Sequence, residues 1–289
     1  MSIFRTVFVI AAILCAFAGS ALAQDTPALF YQPQETDRQI TPAQWKDIWQ
    51  QSRANGYGTL IVQWTSYGEI DFGGKQGWLA KSLQIAQDNH LSLIVGLHMD
   101  PAYYNRLSEI DTAGTGAYLE NQLGLSLKQA DRVRQGWGLD ISGWYVPLEL
   151  DDWNFVQQAR RDIVNERLRG LAARLNHPLH ISSFSGGKLT PDAYGHWLDS
   201  LNAAGIHVWA QDGAGTGTLP PFAQKTYLKA LPCTIGIVLE AFRQTSTGNE
   251  PFRAEPAPVK TEDAQCHPIA VFGLRYMPWA RPFFPSQNR

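Results

Sequence analysis

WYVPLELDD, residues 144–152, is an apolar run that ends in acid: Glu149, then Asp151 and Asp152. A run this apolar fits a strand covered on both faces. Its carboxylates must then emerge into a polar cleft, because burying an unpaired charge is expensive. TIGIVLEAF, residues 234–242, repeats the design with Glu240 near its end. Two apolar strands, each delivering a glutamate at its exit, predict a carboxylate pair facing a common substrate.

Working outward from these stretches, strand and helix patterns alternate. Strands are expected at 28–34, 59–65, 91–98, 144–152, 178–184, 206–211, 234–242 and 269–276. Helices are expected between them. Thr41-Pro42 starts the first, with Thr41 as cap and Pro42 at the first helical position, and Gly56 stops it. Others fall at 78–89, 116–135, 156–175, from Thr190-Pro191 to Gly205, and at 221–230. Such alternation implies a parallel sheet with helical crossovers. Eight strands favour a closed (β/α)8 TIM barrel of one domain over an open sheet. The stretch 243–267 is Pro-rich and polar, and after Trp279 the chain ends in ARPFFPSQNR. The seventh and eighth helices are therefore expected to be degenerate.

In such a barrel the chemistry lies at the C-terminal ends of the strands. Glu149 shares parity with Tyr145 and Pro147, and Glu240 with Gly236 and Val238. Small or polar residues on that parity, with aliphatic ones on the other, turn both glutamates towards the barrel axis. Other strand ends supply polar groups and rings. Gln32, Gln63, Trp64, His98, Asp100, Asp151, Trp209, Gln211, Asp212, Tyr276 and Trp279 are the expected substrate contacts. Amides, carboxylates and aromatic faces around two acids suit a carbohydrate, whose hydroxyls need polar partners and whose C–H faces lie on rings.

Acidic residues closing strands four and seven resemble the clan A retaining glycoside hydrolases. In that clan the strand-four glutamate is the acid/base and the strand-seven glutamate the nucleophile. The resemblance implies those roles for Glu149 in PLELDD and Glu240 in IVLEAF. Leu148 stands where clan members usually carry asparagine. The chain is also similar to an uncharacterised family of secreted bacterial barrels held to be glycosidases.

The remaining features set the context. Arg5, the apolar run 7–18 and Ser20-Ala21-Leu22-Ala23 read as a signal peptide cut after Ala23. The expected domain is then 24–289, periplasmic or secreted. Cys233 and Cys266 remain after cleavage and are expected to pair. A net charge of -2 with no basic tract excludes nucleic acid as a natural partner, and stable membrane insertion after cleavage is not expected. The expected partner is a carbohydrate, bound by a monomer without metal or cofactor.

Blander readings stand beside these. The glutamates could be ion-paired to Arg243 or Arg275. Asp151 and Asp152 could cap the following turn. The glycine-rich DGAGTG, residues 212–217, could be a mobile rim, and Trp45, Trp49 and Trp197 simply core. A metal-dependent hydrolase built on His98 and Asp100 is a further reading. A barrel that binds polysaccharide without cleaving it, in exopolysaccharide export or modification, is the alternative function.

Overall fold

Eight short strands, all parallel, close on themselves. They are β1 (Ala28–Tyr31), β2 (Thr59–Val62), β3 (Ser92–Gly96), β4 (Ile141–Asp151), β5 (Leu179–Phe184), β6 (Ile206–Gln211), β7 (Gly236–Glu240) and β8 (Ile269–Phe272). Hydrogen bonding joins each to the next, and β8 to β1. This is a computed structural model, and it describes residues 26–285 except 248, 249, 262, 263 and 265. The signal-peptide expectation concerns residues 1–23, which lie outside the described residues.

Helices cover the outside of the barrel. α1 (Pro42–Ala54) follows β1, and α2 (Trp78–Asp88) follows β2. α3 (Tyr103–Glu109) and α4 (Thr112–Gly136) follow β3, α5 (Gln158–Ala172) follows β4, α6 (Pro191–Ala203) follows β5, and α7 (Pro221–Lys229) follows β6. The Thr41 side chain accepts from the Gln44 amide, and Thr190 accepts from Ala193, so both Thr-Pro starts are true caps. β7 and β8 have no α-helix after them among the described residues. β7 is followed by an antiparallel hairpin pairing Phe242–Gln244 with Ala254–Pro256, and β8 by short 3-10 turns.

Strand parity divides the apolar residues into two cores. Leu29, Leu60, Leu93, Trp144, Ile181, Val208, Ile237 and Val271 face the helices. Trp45 and Trp49 stack in parallel within that layer, and Trp197 joins it, so these indoles are core. Ala28, Phe30, Ile61, Ile94, Tyr145, Trp209, Val238 and Ala270 fill the barrel itself. Gly236 is required beside Trp209: a Cβ there would stand 2.3 Å from the indole. Burial of each large aliphatic side chain stabilises the fold by about 1.5–3 kcal/mol. The larger cleft opens above this filled layer, at the C-terminal ends of the strands.

Cys233 and Cys266 form a disulfide with Cα atoms 5.4 Å apart. Each lies three residues before its strand, β7 or β8, so the bridge sits at the end of the barrel away from the glutamates.

Candidate active site

One step above the filled barrel layers, the inward parity turns polar. Gln32, Gln63, Glu149, Gln211 and Glu240 follow Phe30, Ile61, Pro147, Trp209 and Val238 on that parity, and all five line one cleft of about 660 Å³. Trp64, Tyr67, Tyr104, Phe242, Phe252 and Tyr276 supply rings to its walls. Gln63 Oε1 is buried without a hydrogen-bond partner. Glu149 and Glu240 come from strands three apart around an eight-stranded ring, and both line its mouth.

Glu149 is held by two donors. The Tyr104 hydroxyl bonds its Oε2, and the Gln211 side-chain amide bonds its Oε1. Burial pushes its carboxyl up to about 7; the Tyr104 hydrogen bond opposes this, and the negative Asp151 adds to it. Glu240 is held differently. Its Oε2 accepts the backbone N–H groups of Gly215 at 2.6 Å and Thr216 at 3.1 Å. Its Oε1 has no protein donor among the described residues. Burial, with the charges of Asp212 and Glu149, pushes this carboxyl up to about 8 against the two backbone donors. Gly215 itself is needed, because a Cβ would stand 2.8 Å from Glu240 Oε2.

Among the described residues neither glutamate is paired to an arginine. Arg243 pairs with Glu255 on the surface, and buried Arg275 pairs with buried Asp37 at 3.2 Å. Asp37 also accepts from the Tyr31 hydroxyl, so this buried network locks the chain after β1 to the turn after β8.

The structure corrects several expected contacts. Trp209 points inward but one layer too low, where its Nε1 donates to His180 Nδ1 at 3.2 Å. Trp279 lies outside the cleft and donates to Ser52 on α1 at 3.1 Å. Asp151 is 1% exposed and accepts from the Trp153 and Asn154 amides, so it organises the turn after β4. Asp152 does the same for the loop after β5, accepting from Gly186, Lys188 and Leu189. His98 and Asp100 are displaced because the chain leaves the barrel at Gly96. Residues His98–Met99 then pair with Ser66–Tyr67, which turns Met99 and Pro101 to the cleft instead. His98 meets Ser66 Oγ at 3.0 Å, while Asp100 binds Tyr118 and Arg106. Glu149, Glu240, Gln32, Gln63, Trp64, Gln211, Asp212 and Tyr276 do converge at the mouth.

Two contributors escape a reading of the chain. Tyr104 sits on α3, a two-turn helix with no strong periodicity of its own. The DGAGTG loop is an anchor for Glu240; its glycine content was the signal, since small residues let backbone N–H groups approach a carboxylate. A second cavity, of about 240 Å³, opens beside the glutamates under that loop.

A model of the family described as "Domain of unknown function (DUF4434)" matches residues 28–265. Over 269 residues the chain is 33% identical to "Uncharacterized protein YbcH" of Escherichia coli (strain K12), which spans 87% of this chain and 90% of that protein. Among solved structures, a candidate alpha-L-fucosidase from Bacteroides thetaiotaomicron superposes with a TM-score of 0.62 at 13% identity, covering 89% of this chain and 91% of that one. The catalytic domain of beta-amylase from Paenibacillus polymyxa superposes with a TM-score of 0.52 at 8% identity, covering 92% and 96%. At such identities the likeness is one of fold.

Proposed function

The chain belongs to the DUF4434 family, and from its site we propose that it is a glycoside hydrolase that cleaves a poly- or oligosaccharide through Glu149 and Glu240. The observation that carries this is the pair itself: two carboxylates from opposing strands, facing one cleft lined by amides and rings. Between the two raised pKa values the pair holds one proton, on Glu240 more than on Glu149 while the cleft is empty, and the proposed mechanism needs that proton on Glu149 once substrate is bound. An acid and a base are thereby present together, as glycoside cleavage requires.

The hydrogen bonds support the order of roles. Glu240 has one oxygen fixed by two backbone donors and no protein donor on the other among the described residues, which suits a nucleophile. It attacks the anomeric carbon and forms the glycosyl ester while the glycosidic C–O bond breaks. Glu149 gives its proton to the departing oxygen. In the second half Glu149 takes a proton from water, whose oxygen displaces Glu240 and releases the sugar with its configuration retained. The Gln211 amide and Tyr104 hydroxyl keep Glu149 aimed at the leaving oxygen. The disulfide supports work in an oxidising compartment, the periplasm or outside the cell.

The test is a screen over polysaccharides and oligosaccharides, reading released reducing ends. Glu240→Gln is expected to nearly abolish release while sugar binding persists. Glu149→Gln is expected to lower the rate by about 10²–10⁴-fold for poor leaving groups and little for activated aryl glycosides. Full activity in Glu240→Gln would overturn the assignment. A second reading, a barrel that binds polysaccharide without cleaving it, is favoured by Leu148, which packs outward at 1% exposure where the clan has an amide. Binding of sugars without turnover in the wild-type chain would select that reading.

A further inference from the structure

We propose that the smaller cavity seats a methyl-ended substituent of the substrate sugar, an acetyl or a 6-deoxy group, directly beside the glutamate pair. This rests on the glycosidase reading and names its substrate class. The cavity of about 240 Å³ shares Glu149, Gln211 and Glu240 with the large cleft. Its volume is roughly that of eight liquid waters at about 30 Å³ each, enough for an acetamido group and part of a ring.

Beyond the shared rim the walls are Phe184, Tyr194, Leu219, Tyr227, Leu228 and Leu231, with Asp212, Thr218 and Gln244 as a polar edge. The two tyrosines turn their hydroxyls elsewhere. Tyr194 shares a hydrogen bond with Ser183 at 2.8 Å, and Tyr227 donates to the Leu189 carbonyl. Gln224 also lines the cavity, and its amide nitrogen is taken by the Gly213 and Leu219 carbonyls. Ser185 donates to Asp152 at 3.1 Å. These side chains therefore present mainly carbon to the cavity. A sugar hydroxyl pushed into it leaves water for few partners, whereas a methyl group leaves water for contact with rings and leucines. The open cleft is the opposite case, with Gln32, Gln63 and Gln211 ready for hydroxyls. One substrate thus meets two chemistries, hydroxyl-rich in the cleft and apolar in the side cavity.

The experiment uses the full chain and matched sugars, with affinities read by saturation-transfer NMR titration. The pairs are N-acetylglucosamine against glucose and 6-deoxygalactose against galactose. The substituted member of at least one pair is expected to bind more tightly, on the order of 10–100-fold, as for one small apolar group in a hydrophobic pocket. The pair that shows the preference identifies the substituent as acetyl or deoxy. Leu219→Trp and Thr218→Trp, both on the loop over the cavity, fill it with an indole. Each is first shown by thermal unfolding to be folded, and each is expected to bring the preference to within about twofold of parity. Equal binding of both members of both pairs by the wild-type chain overturns the proposal and leaves the glycosidase reading standing. So does a preference that survives in the folded filled variants. If no sugar of either pair binds, the two readings fall together.

Discussion

Burial stabilises the acid form of both glutamates. Burial raises Glu149 to about 7 and Glu240 to about 8, where an ordinary glutamate sits near 4.5. Below about pH 7 both carry protons and no nucleophile is present. Above about pH 8 both are ionised and no acid is present. The kcat/KM profile is therefore expected to be a bell with its maximum between these values. An optimum near pH 4–5 would show that the pair is not buried in the working enzyme. The same shift has a stability consequence. The unfolded chain releases the Glu240 proton near 4.5 and the fold holds it until about 8, so the fold loses stability as pH rises between those values. Glu240→Gln lacks that loss. It is expected to melt above wild type at pH 9, by roughly 2–4 °C for each kcal/mol relieved, with the gap closing towards pH 4. A gap of constant size across that range would mean that Glu240 is not the group responsible.

At the scale of elements, the functional parts are the connections after strands. The hairpin after β7 carries Phe252, 52% exposed, to the edge of the cleft, where its ring meets Phe242 edge-on. Phe252 is the residue of 251–258 that lines the cleft. Gln244 of the same hairpin donates its backbone N–H to Gly215, so the hairpin braces the loop that holds Glu240. Deleting the segment would remove that brace along with the wall, so a side-chain change is the cleaner experiment. Phe252→Ala is expected to raise KM for long glycans by about threefold to tenfold, equivalent to a ring contact of about 0.5–1.5 kcal/mol. The melting temperature should hardly move, because Phe252 is half in solvent. A large drop in melting temperature with unchanged KM would make the ring a structural one.

At the scale of the molecule, the barrel separates stability from chemistry. The disulfide ties the N-terminal ends of β7 and β8, where the connection between them has no α-helix among its described residues. Closing a loop of 33 residues removes unfolded-state entropy worth about 3–4 kcal/mol in the chain-entropy model. Replacing Cys233 and Cys266 with serine is expected to lower unfolding free energy by about that amount in denaturant titration, with kcat little changed below the melting range. A collapse of activity without loss of stability would place the bridge in the working of the site.

The sequence by itself determined the barrel, its eight strands, the degenerate connections after β7 and β8, the disulfide and the inward parity of Glu149 and Glu240. All of these follow from local period, caps and strand order. The tertiary structure decided which strand-end residues reach the cleft. Trp209 has the right parity but the wrong layer, and height along a barrel depends on register between strands, which no single strand encodes. His98 and Asp100 were lost because the chain turns out of the barrel at Gly96, where a Cβ would stand 2.3 Å from the Gln63 backbone. Asp151 and Asp152 became loop anchors because nearby backbone N–H groups claim them first. Tyr104 and the Gly215 and Thr216 amides joined the site through contacts between segments 24 to 45 residues apart. Such partners are selected by closure of the barrel, which brings distant loops over one mouth, and not by any pattern within the loops.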